Sequence, residues 1–516
     1  MVRRGAPGSL VGISCHAPAS RHHPSPPPPA RSHVTEIADF GAIVIVVAGG
    51  FLLALASTKL TRLLRVPAPA LFLLAAAVAS NLWPRLGETL SLKTVARLAT
   101  VALIVILFDG GMHVGWRRMR RAAVPVLTIG VLGTFGTAAL VGVCAHWLLG
   151  VSWIVAGIIG AALAPTDPAV MFSVLGNKEI GGRSGTVLEG ESGANDPVGI
   201  ALMIGMLELA RHPEGSFAIV LKEFAIEMVV GLAIGWVAAR VLLPLLRRAS
   251  LPDATLHPLG ALAAAGVIYG VTSVAHGSGF LAVFIAGILI GDERAPYKAD
   301  IERFAMSMAS LAEVVVFIAL GLTFDVSSLG RDHLWRDGII LGLLLAFLVR
   351  PLVVGTLLLP VRLRWGERLF VMWGGLKGAV PILLGAFAVL ANVDEANRVY
   401  GIVFVVVALS VLVQGSTLPL AARLLGVPMR PSESGHWQQE RYTVGNRSRA
   451  VGLLVRDLPL GEGGWVQSVE RARATQRARG STAIEAGDVV EVLAPSSATS
   501  ALRRYFAGDA PRLDVH

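Results

Sequence analysis

Two acidic clusters lie within stretches apolar enough to cross a membrane. Ala164-Pro165-Thr166-Asp167-Pro168 sits in the middle of the run Trp153 to Leu175. Glu189-Gly190-Glu191-Ser192-Gly193-Ala194-Asn195-Asp196-Pro197 heads the run that continues to Ala210. An ionised carboxylate in hydrocarbon costs at least ~2.5–3.5 kcal/mol on insertion scales, so such a group faces a wet cavity or a bound cation. Prolines on both sides of Asp167 remove backbone donors and break the helix. An acid at a helix break at mid-membrane depth is how secondary transporters build a cation site. The pattern predicts a transporter that works through Asp167 and Asp196.

Asp196 can bind a proton or a dehydrated alkali cation, but not both. One carboxylate contested by two ions is sufficient for exchange if it titrates near cytoplasmic pH, and burial, which disfavours the charged form, supplies such tuning. Thr166 and Ser192 offer neutral oxygens, and the backbone freed near Pro165 and Pro168 offers carbonyls. Hard cations take oxygen ligands. The expected cation-binding set is therefore Thr166, Asp167, Ser192, Asn195 and Asp196, with no cofactor and no metal beyond the transported K⁺ or Na⁺. Glu313, well inside its own span, and Asp109, in Leu107-Phe108-Asp109-Gly110-Gly111, are two further acids that could line the ion path. The other reading of Asp109 is an interfacial acid paired with Arg117 or Arg118.

These residues need a membrane scaffold, and the composition supplies one. Of 516 residues, 54% are hydrophobic and only 16% charged, with mean hydropathy +0.66. Apolar runs of about 20 residues, enough to cross the hydrocarbon, recur from Phe40 to Leu425. They predict an all-α polytopic membrane protein of about thirteen spans: 38–57, 67–83, 97–113, 122–147, 153–175, 186–210, 217–246, 255–275, 279–291, 304–325, 338–360, 368–391 and 399–424. Every second loop is basic, as in Arg117-Arg118-Met119-Arg120-Arg121 and the group Arg362, Arg364 and Arg368, while the alternate loops carry few cations. The positive-inside rule then puts the N-terminus outside and the C-terminus in the cytoplasm; the expected location is a plasma (inner) membrane of bacterial type. The net charge of +10 has its use in that orientation and not in nucleic-acid binding. Cys15 and Cys144 suggest neither a disulfide framework nor a metal site. Residues 1–36 are Pro-, Ser-, His- and Arg-rich and are expected to be disordered. Residues 38–426 form the membrane domain, and 431–516 turn polar.

Thr166-Asp167-Pro168 in one span, followed in the next by Glu191-Ser192 and Asn195-Asp196, resembles the monovalent cation:proton antiporters of the sodium/proton exchanger superfamily. Trp373-Gly374-Gly375-Leu376-Lys377-Gly378-Ala379-Val380-Pro381 and Val413-Gln414-Gly415-Ser416-Thr417-Leu418-Pro419 resemble later segments of that family, in the expected order. The stretch Leu188 to Pro197, with a cytoplasmic tail, looks most like the potassium/proton antiporters of the cell-volume-regulation branch. The resemblance implies inverted repeats with broken helices, a core domain, a dimerisation domain and hence a homodimer. It implies a structural ion pair between Glu191 and Lys377, with lysine where the family usually has arginine. Asn195 stands where electrogenic relatives carry a second aspartate, which implies a single titrating carboxylate and electroneutral exchange.

The tail reads as a small α/β cytoplasmic domain, with short strands over 449–457 and 484–494 and a helix over 497–506. Ala486-Gly487-Asp488-Val489-Val490-Glu491-Val492-Leu493 resembles the C-terminal ligand-binding domain of potassium-transport regulators. That implies a small-molecule or nucleotide regulator; a structural cap or dimerisation module is the alternative. No Gly-x-Gly-x-x-Gly occurs, so a dinucleotide fold has no support. A membrane enzyme would need a nucleophile or metal set, and no His-Glu-x-x-His occurs. A cation channel with a ligand-sensing tail is the rival reading; it would want a filter of backbone carbonyls, and no Thr-Val-Gly-Tyr-Gly-like element occurs.

Overall fold

The computed structural model describes residues 41, 49, 66–83, 90–175, 178–212, 215–248, 256–291, 298–431, 437–460, 465–471, 474–495 and 499–508. The Pro-rich N-terminus and nearly all of the expected span 38–57 lie outside the described residues.

From the N-terminal side the helices are α1 (Ala68–Leu82), α2 (Leu92–Val114), α3 (Trp116–Leu127), α4 (Thr134–Leu149), α5 (Trp153–Leu163) and α6 (Pro168–Leu175). Then follow α7 (Gly182–Arg211), α8 (Ala218–Arg248), α9 (Leu256–Val274), α10 (Gly279–Gly291), α11 (Lys298–Leu322), α12 (Leu334–Leu344) and α13 (Arg350–Leu357). The last membrane helices are α14 (Trp365–Trp373), α15 (Ala379–Leu390), α16 (Ala396–Leu409) and α17 (Ser416–Leu424). Local sequence sets several ends: the Ser91 and Ser152 side chains accept from the backbone N–H groups of Thr94 and Val155, and α4 stops at a left-handed Gly150. Single π turns, Thr128–Gly133, Leu345–Val349 and Ser410–Gly415, join α3 to α4, α12 to α13 and α16 to α17.

Among the described residues, seven helical stretches are long and apolar enough to cross a membrane. Shorter apolar helices, α1, α5, α10 and α15, accompany them. The core runs through the whole bundle: α2 packs on α10 and α11, α5 on α4 and α7, and α16 on α12 and α15. The span expected at 153–175 breaks between α5 and α6, as the prolines require. The span expected as one piece at 368–391 breaks too, between α14 and α15. Its sequence there, Gly374-Gly375-Leu376-Lys377-Gly378, has no proline but three glycines. Gly378 has to be glycine for contact reasons: a Cβ at this position would run into the Asp167 carboxylate.

Beyond α17 the chain pairs with itself before entering the tail. Strand β1 (Lys178–Ile180), in the connection between α6 and α7, runs antiparallel to β2 (Met429–Pro431), with Ile180 opposite Met429. The Gly181 N–H donates to the Pro428 carbonyl at 2.8 Å. The tail itself is a four-stranded antiparallel sheet of order β3-β6-β4-β5, with β3 (Trp437–Thr443), β4 (Trp465–Arg471), β5 (Ala474–Arg477), β6 (Val489–Pro495) and a closing helix α18 (Thr499–Ala507). Val469, Val490, Val492, Leu502 and Phe506 form its core, with Tyr442 stacked on Phe506 at 5.3 Å. Two tail expectations change. Residues 449–457 are turns ending in a 3₁₀ helix, Val455–Asp457, and the missed strands are β3 and the β4–β5 hairpin, whose polar sequences hide their alternation. The strand expected from 484 starts at Val489, because Gly487 (φ 87°) and Asp488 close a turn first.

Asp488 is buried in that turn. Its carboxylate accepts from Arg471 Nε at 2.8 Å and Nη2 at 2.9 Å, and from the Glu485 N–H at 2.8 Å. The Arg471 guanidinium holds Asp488 below the usual carboxylate range. A carboxyl depressed in the folded state contributes stability above its ordinary value of about 4 and loses it as pH falls through the depressed value. Arg471→Ala should therefore weaken the tail at neutral pH, because the buried Asp488 carboxylate loses its charged donor. Amide exchange in β6 of the full-length protein checks this. The expected result is roughly ten- to hundred-fold faster exchange in the variant at pH 7, with the difference shrinking below pH 4; unchanged protection would contradict it.

Candidate ion site at two crossed helix breaks

The two breaks satisfy each other. α5 ends with carbonyls that no following N–H can take, since Pro165 and Pro168 carry none. Lys377 Nζ, from the other break, donates to Ala164 O at 3.0 Å and Pro165 O at 2.9 Å. A cation at a helix C-terminus is also favoured by the helix dipole. In return the Asp167 N–H donates to Leu376 O at 2.8 Å. The Lys377 N–H is taken by Ser410 Oγ at 3.1 Å, and Ser410 donates to Gln414 Oε1 at 2.7 Å. Asp167 immediately precedes α6 and lies against Gly378, which immediately precedes α15. It therefore sits where two half-helices begin, at the ends that favour negative charge.

α7 closes the site. Ser192 and Asn195, three residues apart on one helix face, meet Thr166. Asn195 Nδ2 donates to Thr166 Oγ1 at 2.7 Å, and the Thr166 N–H donates to Asn195 Oδ1 at 3.2 Å. Thr166 and Ser192 share a hydrogen bond at 3.1 Å between their hydroxyl oxygens. Both ends of the Asn195 amide are thus engaged by one residue. Asp196, the next residue, is 5% exposed, and its Oδ1 has no hydrogen-bond partner among the described residues. The charges that act on it are those of Asp167 and Lys377. On α11, Glu313 has an enclosed Oε1 without a partner among the described residues, and Asp167 is the charge that acts on it.

The structure brings Thr166, Asp167, Ser192, Asn195, Asp196 and Lys377 together and adds Glu313 to their electrostatic neighbourhood. Two expectations are corrected. The partner of Glu191 is Arg350, at the head of α13, and not Lys377. Arg350 Nη1 lies 2.9 Å from Glu191 Oε1, and its Nη2 donates to Oε2 at 3.2 Å. The planar guanidinium fork matches both carboxylate oxygens, and its remaining donors reach Met372 O and Val371 O at the end of α14. Both side chains are under 5% exposed. Second, the carbonyls expected to help hold a cation, those of Ala164 and Pro165, are occupied by the Lys377 ammonium. Asp109 lies outside this cluster: its partner is His113, one turn on in α2, at 3.4 Å. The sequence signal for Arg350 was an arginine in the uninterrupted apolar run from Ile339 to Val354. Such a residue has to be paired inside the bundle.

Residues 49–424 match the profile of the sodium/hydrogen exchanger transmembrane family. The chain is 35% identical over 395 residues to the K⁺/H⁺ antiporter NhaP of Alkalimonas amylolytica, covering 76% of this chain and 68% of that protein. It is 30% identical over 442 residues to the K⁺/H⁺ antiporter NhaP2 of Shewanella oneidensis, covering 82% and 75%. The Na⁺/H⁺ antiporter NhaH of Halobacillus dabanensis is 28% identical over 354 residues, covering 64% and 84%. Among solved structures, the sodium proton antiporter MjNhaP1 from Methanocaldococcus jannaschii at pH 8 superposes with TM-score 0.64 at 23% identity. That match covers 76% of this chain and 99% of that one, a likeness of fold.

The Glu191–Arg350 pair should act as one unit. Removing either partner of a buried pair leaves an uncompensated charge and costs about 3–5 kcal/mol. Arg350→Ala and Glu191→Ala should each lower the melting temperature in detergent by several degrees. The double variant should lose clearly less than the sum of the two. Strictly additive losses would show that the two residues do not act as a pair.

Proposed function

Because the chain belongs to the sodium/hydrogen exchanger transmembrane family, we propose that it is a multi-pass membrane antiporter in which Asp196 alternately carries a proton and a monovalent cation. The observation that carries this reading is the buried Asp196 carboxylate, open at Oδ1, beside Asp167 at the crossing of two broken helices. With Asp196 protonated and neutral, Lys377 balances the charge of Asp167. Deprotonated, it and Asp167 make a doubly negative pocket that a small cation neutralises, with Thr166 and Ser192 supplying neutral oxygens. Asn195, whose amide bonds Thr166 at both ends, holds the break in place and completes the expected cation-binding set. Lys377 serves as a fixed charge on the α5 carbonyls, which leaves one exchangeable proton per cation and electroneutral exchange. Glu313 lies on the approach to Asp167. Asp109, paired with His113, marks the cytoplasmic end of that approach.

K⁺ is the cation we assign first, supported by relatives named K⁺/H⁺ antiporters at 30–35% identity; Na⁺ is the alternative, since both take the same oxygens. The full reading of the fold has thirteen spans with the two broken ones as counterparts in inverted repeats. It puts the N-terminus outside, the C-terminus in the cytoplasm, and two copies in a homodimer. The membrane domain covers residues 38–426 and the cytoplasmic domain 431–516. The tail is a regulatory module, and a ligand there would act by binding the transport states with different affinity. The β1–β2 pairing supports that role, because it ties the entry to the tail directly to the segment between α6, which Asp167 immediately precedes, and α7, which carries Ser192, Asn195 and Asp196.

Asp196→Asn keeps the shape and removes the titrating charge, so it should fold normally and abolish exchange. Asp167→Asn should be severely impaired through lost cation coordination. Proteoliposomes loaded with a pH dye and challenged with K⁺, Na⁺, Rb⁺ or Li⁺ read both effects. Robust pH-dependent flux in Asp196→Asn would sink the single-carboxylate mechanism, and cation flux driven by voltage alone in the wild type would make the protein a channel.

Truncation after Pro431 keeps the β1–β2 pairing and removes the sheet. It should leave exchange working but shift its pH or cation dependence. Superimposable activation curves at matched protein amounts would reduce the tail to a cap.

A further inference from the structure

Away from the ion site, a cavity of about 340 Å³ opens on the flank of the bundle where α3, the first turn of α7 and the end of α13 meet. Its walls are apolar, with Val124, Pro125, Leu357 and Val361, and two arginines, Arg183 and Arg362, line it from elements far apart in sequence. Both arginines are exposed. Neither has an acidic partner among the described residues. Two like charges facing one cavity repel each other unless an anion lies between them.

The level of the cavity in the membrane follows from α3. Its first two turns carry Arg117 and Arg120, and from Ala122 onward it is apolar. Val124 and Leu127 are 78% and 56% exposed on the outside of the bundle. In a membrane-spanning chain such a surface faces acyl chains. Trp365, 70% exposed with the Arg368 guanidinium 5.3 Å from its ring centre, follows the same turn, and tryptophan favours the headgroup level. The cavity therefore lies where headgroup and hydrocarbon meet, on the side of the basic loops.

We propose that this cavity binds the phosphate headgroup of an anionic phospholipid, with Arg183 and Arg362 on the phosphate and the acyl chains along Val124, Leu127 and Leu357. Arginine forks suit phosphate oxygens, and basic pockets between membrane helices take anionic headgroups. The apolar walls distinguish a lipid from free phosphate, which would leave them wet. An occupant would bridge the stretch after α3, the start of α7 and the end of α13. The latter two are the helices joined deeper down by the Glu191–Arg350 pair, so a bound lipid would brace the ion-site helices from the membrane surface. The inference rests on the membrane-spanning reading and not on the transport cycle, so its test reads binding and not flux.

The test is native mass spectrometry and thermal shift of the full-length protein in detergent, with phosphatidylglycerol against phosphatidylcholine of the same acyl chains. Phosphatidylglycerol should bind and raise the melting temperature more than phosphatidylcholine. Arg183→Gln combined with Arg362→Gln should weaken its binding about thirtyfold, the equivalent of ~1 kcal/mol per arginine. Val124→Trp, which fills the cavity and leaves both charges, should weaken it similarly. Arg120→Gln, which removes one charge outside the cavity, should not. Full binding in the double variant, an equal loss in Arg120→Gln, or the same stabilisation from millimolar inorganic phosphate alone would overturn the proposal.

Discussion

Backbone groups left open in mid-membrane have to find partners inside the protein, because hydrocarbon offers none and each unsatisfied group costs several kcal/mol. Two helices stop inside the bundle in this molecule, and their crossing answers that constraint. Lys377 caps the carbonyls of Ala164 and Pro165, the Asp167 N–H reaches Leu376 O, and the Thr166 N–H reaches Asn195. Each break is completed by side chains or backbone from elsewhere, so neither can form alone. What remains after this mutual satisfaction is an acidic surplus, with Asp167, Asp196 and Glu313 around one lysine. In the proposed cycle a transported cation supplies positive charge there and a proton replaces it.

The charges divide into two kinds. Glu191 and Arg350 form a closed bidentate pair whose remaining guanidinium donors end on backbone carbonyls. Every polar atom of that pair has a fixed partner, and nothing in it invites an ion to exchange. Asp196, five residues further along α7, keeps an oxygen without a partner among the described residues. The same helix thus presents a carboxylate closed by its partners and one with an open oxygen. The difference lies in what faces each of them, since the residue types are nearly the same.

Much of the site was legible because chemistry inside an apolar run stands out. Asp167 between prolines, and Asp196 with Ser192 and Asn195 at helical spacing, need no fold to mark them. The break before Asp167 followed from proline, whereas the one at Gly374–Gly378 was hidden, because glycine permits an unwound backbone without demanding it. Its cause is tertiary: the Asp167 carboxylate occupies the space a side chain at position 378 would need. The partner of Glu191 was misassigned for a related reason. Lys377 lay in a recognised motif, while Arg350 belonged to none, and only the geometry shows which cation carries the fork that a buried carboxylate needs. In the tail, β3 and β5 are the sheet-edge strands and carry glutamine and arginine, and the inner strand β4 is also largely polar, so their alternation was too weak to register in sequence. The closing helix, with apolar residues at Leu502, Tyr505 and Phe506, registered clearly.

In the proposed mechanism one carboxylate site binds a cation or a proton, each at the expense of the other. Calorimetric titration of the purified protein with K⁺, in buffers of different protonation enthalpy at one pH, counts the protons released per cation bound. One proton should be released per cation when the site starts protonated, with apparent cation affinity falling as pH is lowered. Cation binding with no proton release, at an affinity independent of pH, would contradict it.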